Sequence, residues 1–181
     1  MWGRRPGQSV AEHIAELDAE RALWARGEAG EVLVGSELEH LAPGEWWVFH
    51  AIPRGSAGTD IDHLVVGVGG AFTVNTKNVS GNVWVAKRAL MVGGHKTGYL
   101  PVAASEARDT SRRMSTCAAR TVDVHPLLVF TRTVTIKEMP DDVTVLEFGL
   151  VRRWLESRPR VWTPAQAHEI AMIADRPSTW L

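Results

Sequence analysis

Asp60-Ile61-Asp62-His63-Leu64-Val65-Val66, a break at Gly67-Val68-Gly69-Gly70, and then Ala71-Phe72-Thr73-Val74-Asn75-Thr76-Lys77 decide the fold of this chain. Both flanks are rich in β-branched and aromatic residues and the break is rich in glycine, which predicts an antiparallel hairpin. Successive strand residues point to opposite faces, so Asp60 and Asp62 share one face of the first strand, and Asn75 and Lys77 share one face of the second. The hairpin should bring these polar sets together at its open end, beside the small-residue loop Arg54-Gly55-Ser56-Ala57-Gly58-Thr59. Charged groups in an otherwise apolar sheet are expensive to desolvate unless they are paired or bind a ligand. One reading is a structural Asp62–Lys77 salt bridge on an exposed sheet face; the other is a chemical site.

Upstream of the hairpin, Trp46-Trp47-Val48-Phe49-His50-Ala51-Ile52 reads as a further strand, closed by Pro53. Before it lie two expected helices. The first starts at Ser9, an N-cap with Glu12 completing a capping box, and is interrupted at Gly27 and Gly30; the second runs from about Glu31 to Leu41. At 100° per residue, Val34, Gly35, Leu38, Leu41 and Ala42 fall within one arc of about 120°. Glu31 lies inside that arc, whereas Glu37 and Glu39 lie outside it. Glu31 is therefore either a carboxylate aimed along the buried face or a first-turn residue favoured by the helix dipole.

Downstream, Asn82 to Ala86 and Ala89 to Val92 suggest a second hairpin, and residues from about Val102 to Arg120 a helix. His125 to Phe130 and Val143 to Leu146 suggest strands. Two more helices are expected near Leu150–Glu156 and, with Thr163 as N-cap and Pro164 at its first position, at Thr163–Ala174. This order fits an α/β fold with a mixed central sheet flanked by helices.

The run Gly30-Glu31, then Gly58 to Val66, then Gly70-Ala71-Phe72-Thr73-Val74-Asn75-Thr76-Lys77-Asn78-Val79-Ser80-Gly81, closely resembles the nuclease-related domain (NERD) family, whose members look like PD-(D/E)xK nucleases. The similarity covers about residues 29–130; residues 131–181 resemble the tails of bacterial members more loosely, and residues 1–28 add little. The resemblance implies a restriction-endonuclease-like core of helix, three strands, helix and strand. It places Asp62 at the motif's first acid, Lys77 at its lysine and Glu31 at the acid of the first core helix, with Asp60 as a supporting carboxylate or an alternative first acid. Asn75 stands where the pattern has Asp or Glu.

Such a site would hold Mg²⁺ or Mn²⁺ through Asp62, Asn75, Glu31 and Asp60, and Lys77 would orient the attacking water or stabilise the developing oxyanion. An asparagine offers the metal a carbonyl oxygen without charge, so the metal site is expected to be weakened. The implied activity is metal-dependent cleavage of DNA. The alternative is a catalytically degenerate nuclease fold that binds nucleic acid or a protein partner.

Composition sets the remaining expectations. Across 181 residues the net charge is −1, with a single cysteine, Cys117, which excludes a disulfide framework and a cysteine-rich zinc module. That small total conceals a division: residues 1–45 carry nine acidic and four basic residues, and residues 46–160 carry ten acidic and fifteen basic. Residues 1–28 are thus expected as an acidic helical arm, able to dock on its own domain or on a second copy as a homodimer, and residues 29–181 as the nuclease-like domain. Arg108, Arg112 and Arg113 form a helical strip that could take a phosphate backbone; a solvated helix face is the alternative. His63 alternates away from Asp62 and reads as packed or exposed. No apolar run suits a signal peptide or a membrane span, which points to a cytoplasmic protein.

Overall fold

The computed structural model describes residues 9–53 and 60–180; residues 54–59, where the sequence predicts a loop and where Gly58 and Thr59 of the motif fall, and residues 1–8 lie outside them. Helix α1 (Val10–Leu38) is followed by strands β1 (Trp46–Pro53), β2 (Asp60–Gly67) and β3 (Gly70–Lys77). Next come β4 (Val83–Ala86), β5 (Ala89–Val92), β6 (His95–Lys96) and helix α2 (Tyr99–Ala118). The chain continues with β7 (Val124–Phe130), β8 (Val134–Ile136), β9 (Thr144–Glu147), α3 (Val151–Glu156) and α4 (Pro164–Ala174).

The main sheet has the order β1-β2-β3-β7-β9. Its first three strands are antiparallel, while β7 and β9 join in parallel, so the sheet is mixed. Helices α1 and α3 cover one apolar layer, in which Val34, Leu38 and Val151 pack with Val65, Val74 and Val129. Met114 of α2 and Ile170 and Ala171 of α4 pack in another, with Leu64, Val66 and Ala71. The architecture is the expected α/β class. A smaller sheet, β6-β5-β4-β8, shares a third apolar cluster with β7, β9 and the start of α2.

One expectation fails at the N-terminal side. The break at Gly27 and Gly30 does not occur, and α1 runs unbroken from its Ser9–Glu12 capping box through both glycines. Gly30 serves close packing: a Cβ there would stand 2.7 Å from Cβ of Asn78. Asn78, just beyond β3, donates from Nδ2 to the carbonyl of Arg26 at 2.9 Å and accepts from Thr131 at 2.9 Å. The asparagine after the motif lysine therefore clamps the helix against the sheet end where the polar residues lie. The outer part of the helix remains exposed, Trp24 at 73 %.

Candidate active site

The β2–β3 ladder is regular from Gly67↔Gly70 to His63↔Val74 and then opens. At the opening the Asp62 carboxylate replaces the missing strand acceptor and takes the backbone N–H of Thr76 at 2.6 Å. The β1–β2 pairing also skips a step here, between His50↔His63 and Ile52↔Ile61. The skipped residue of β1, Ala51, has φ of 50°, a left-handed conformation that costs energy for a residue with a Cβ. Departures from the ladder thus cluster at Asp62.

Burial is the first cause that raises the pKa of Asp62, and the carboxylate of Glu106 adds to it; the Thr76 N–H and the Lys77 ammonium act in the opposite direction. Glu31 is also raised, by desolvation first and by Asp62 second, with Lys77 opposing and Asp60 contributing less. Asp62, Glu31 and Lys77 therefore act on one another's charge at the open end of the hairpin. Asp60 is exposed at the start of β2. Lys77 donates to the Thr76 carbonyl at 3.0 Å, and its ammonium lies 5.2 Å from the Tyr99 ring centroid, a cation–π contact that restrains the long side chain. The direct Asp62–Lys77 salt bridge, one of the two readings of this spacing, is absent among the described ion pairs.

Asn75 is 7 % exposed and donates from Nδ2 to Oε2 of Glu106 at 2.8 Å. Its carbonyl oxygen, Oδ1, is buried and has no hydrogen-bond partner. Leaving such an acceptor unsatisfied costs about 1–3 kcal/mol. A buried, unpartnered carbonyl oxygen at the same end of the β2–β3 hairpin as Asp62 is the donor chemistry that hard divalent cations take, since Mg²⁺ is held by one or two carboxylates and keeps several waters. Among the described residues, no three His, Cys, Asp or Glu side chains gather closely enough to hold a metal ion by themselves. Any such site therefore leans on the asparagine oxygen and on water.

Glu106 is the residue that sequence reasoning missed. It is 6 % exposed on α2. The signal was available in the same helical geometry that singles out Glu31: Ala103, Ala107, Thr110 and Met114 form the buried stripe of α2, and Glu106 falls within it.

On the α1 side of β2, His50 and His63 meet edge to face with Nδ1 atoms 2.7 Å apart, and His50 Nε2 lies 2.7 Å from Oε1 of Glu39. A carboxylate only accepts, so His50 donates to Glu39 through Nε2, and a neutral His50 then accepts from the Nδ1–H of His63. Burial first, and His50 second, hold the pKa of His63 down at about 4, with the Glu31 backbone acting in the opposite sense, and Nε2 of His63 is buried without a hydrogen-bond partner. A cavity of about 310 Å³ connects this pair with the acidic end, lined by Glu31, Gly35, Glu39, His50, Asp62 and His63. A larger one, about 600 Å³, lies along β1 against Ala174, Pro177 and Trp180, away from Lys77 and Asn75.

The proposed arginine strip is not a free row of cations. Arg112 and Arg113 both bond Asp109, Arg113 at 3.1 Å, and Arg113 also donates to the Trp180 carbonyl at 2.9 Å. These contacts fix the end of α2 to the C-terminal segment. Arg108 is exposed and lines a cavity with Lys87, Arg88, Asp141 and Asp142.

The sequence of the region just described, from the inner half of α1 through the end of β7, matches the family model for the nuclease-related domain over residues 26–131. The chain belongs to the nuclease-related domain family. The matched span contains Glu31, Asp62, Asn75, Lys77 and Glu106, and leaves β8, β9, α3 and α4 outside it. A protein of Bacillus anthracis, described only as uncharacterized, is 36 % identical over 67 residues. That alignment takes in 35 % of this chain and 32 % of the relative, so the chain spans about a third of that protein's length. No solved structure matches. No helix among the described residues of this nuclease-related domain protein is long and apolar enough to cross a membrane.

Proposed function

We propose that this nuclease-related domain is a divalent-metal-dependent nuclease that hydrolyses phosphodiester bonds in DNA, with Asp62, Glu31, Asn75 and Lys77 as its site. The observation that carries the reading is the mutual influence of the Asp62, Glu31 and Lys77 charges at the open end of the β2–β3 hairpin, the end at which Asn75 has its Oδ1 buried and unpartnered. Asp62, Glu31 and Asn75 Oδ1 would hold the ion, with Asp60 as a peripheral carboxylate. When bound, Mg²⁺ or Mn²⁺ lowers the pKa of a water and neutralises charge developing on the phosphate. Lys77, steadied by Tyr99, would orient the attacking water or donate to the phosphoryl oxygen on which charge accumulates. Asp62, held by the Thr76 N–H, is fixed before substrate arrives. Arg108 on α2 offers an exposed cation for the phosphate backbone. The lone exposed thiol of Cys117 accords with the reducing cytoplasm we assign to the protein.

The test is cleavage of plasmid and single-stranded DNA with and without Mg²⁺ or Mn²⁺. Asp62→Ala and Lys77→Ala should each lower the rate by about a hundredfold or more; metal-dependent cleavage that survives both overturns the assignment. Asn75 favours a second reading, a non-cutting module that binds nucleic acid or protein, because the position expected to carry an acid is neutral. If the wild type is inert and Asn75→Asp makes it cut with Mg²⁺, the second reading holds; cleavage by the wild type removes it.

A further inference from the structure

The Asn75–Glu106 pair carries a more specific inference, which rests on the metal-dependent reading above. We propose that Glu106 is a positioning residue that turns Asn75 into a cation ligand: its carboxylate fixes the amide with Oδ1 available to the ion and supplies the negative charge that position 75 lacks. The first argument concerns orientation. An amide side chain can flip, but a carboxylate only accepts, so its neighbour in the 2.8 Å contact is Nδ2 and the other end of the amide is the carbonyl oxygen. That oxygen has no partner although Asn75 is more than nine-tenths buried.

The second argument concerns charge. A glutamine at 106 could accept the same hydrogen bond without the desolvation cost of a carboxylate that is 6 % exposed. The charge instead sits where it repels Asp62, so its field reaches the proposed ion position. The Glu106 carboxylate thus adds to the negative potential felt by Asp62, while the Lys77 ammonium opposes it. Together the amide and the carboxylate divide between two side chains the tasks that one acid would perform: Asn75 provides the oxygen and Glu106 provides the charge. Glu106 meets Asn75 through the amide nitrogen, the end of the amide away from Oδ1, which sets it behind the asparagine.

Mn²⁺ binding to the full chain, measured by calorimetry with melting curves taken in parallel, tests this without reference to cleavage. Glu106→Gln should weaken Mn²⁺ binding by about tenfold or more, the size typical of groups that support metal ligands, while melting without metal stays the same or rises. Asn75→Asp combined with Glu106→Gln, which moves the charge forward by one residue, should return binding to within a few-fold of wild type. Asn75→Asp alone gives a check that leaves Glu106 untouched: it should tighten Mn²⁺ less in the wild-type background than in the Glu106→Gln background. Wild-type binding in Glu106→Gln, or equal gains from Asn75→Asp in both backgrounds, overturns the role of Glu106 while leaving the metal reading intact. A wild type that binds no Mn²⁺ at millimolar concentration overturns both.

Discussion

Two polar networks flank β2, one reached through Asp62 and the other through the next residue, His63, and each buries hydrogen-bonding groups in a largely apolar fold. The Asp62 network, with Asn75, Glu106, Glu31 and Lys77, holds more carboxylates than cations and leaves an acceptor oxygen open. The His63 network runs outward through His50 to the exposed Glu39 and needs no net charge to satisfy its internal bonds. Burial has opposite consequences in the two. It raises the carboxylates, so the folded state retains protons that the unfolded chain would release; it lowers His63, so the folded state refuses a proton that the unfolded chain would take. Each network also leaves one buried atom without a partner, Nε2 of His63 and Oδ1 of Asn75, so the comparison teaches that similar burial favours the neutral form in both and that what separates them is the sign of the charge it opposes.

The largest expected effect is on the histidine side. With a folded pKa of about 4 against 6.5 in a model peptide, His63 binds fewer protons folded than unfolded between those values. Its contribution is present in full above about pH 6.5 and is lost as the pH falls through 4. The upper bound is about 3 kcal/mol. Urea unfolding at pH 7, 5.5 and 4.5 should show the slope, and His63→Asn should flatten it; an unchanged slope in the variant would assign the acid sensitivity elsewhere.

A smaller effect of opposite sign belongs to the acidic side. Asp62 is raised, so its burial is tolerated best when protonated and disfavours folding as the pH climbs through its folded pKa. Asp62→Asn keeps an oxygen for the Thr76 N–H and removes the buried charge; it should stabilise the metal-free protein at pH 7 by about 1 kcal/mol. The same variant should abolish cleavage. A destabilised Asp62→Asn would mean that the Lys77 attraction outweighs desolvation, and the contrast between the two networks would disappear. Millimolar Mn²⁺ should raise the wild-type melting temperature and leave Asp62→Asn unmoved, since only an ion that binds the folded state shifts unfolding.

The sequence made one of these networks far more legible than the other. Period-two alternation was enough to place Asp62, Asn75 and Lys77 at one end of a hairpin, and helical rotation was enough to put Glu31 on the same arc as the apolar residues of its helix, because both rules act within a single element. Glu106 and Asn75 are 31 residues apart and meet only through the packing of α2 on the sheet, which no local periodicity encodes. The same is true of the link from Glu39 to His50, and of β8, a three-residue strand that exists only by pairing with β4. At Gly30 the residue type was read as a helix stop, whereas the tertiary contact with Asn78 uses its missing Cβ. The arginines of α2 show the converse: their spacing was right, but Asp109 and the Trp180 carbonyl had a stronger claim on two of them than an external phosphate.

Gly35 offers the finest test, because it touches only the histidine network. A Cβ at that position would stand 3.2 Å from Cε1 of both His50 and His63, closer than ordinary packing and limited by two rings that already constrain each other. Gly35→Ala gains about 1 kcal/mol of helix propensity in α1 and loses a similar amount to overpacking, so net stability at pH 7 should change by no more than about 1 kcal/mol. The rings, however, must separate. Loosening the pair admits water to His63, relieves the desolvation that holds its pKa down, and should move that pKa upward from about 4 toward the ordinary histidine value. Imidazole chemical shifts followed against pH resolve the change even where the melting temperature does not. Mn²⁺ affinity at the acidic end should be unaltered in the same variant, and a parallel loss there would show that the cavity lined by Gly35, His63 and Asp62 couples two networks that their charges otherwise set apart.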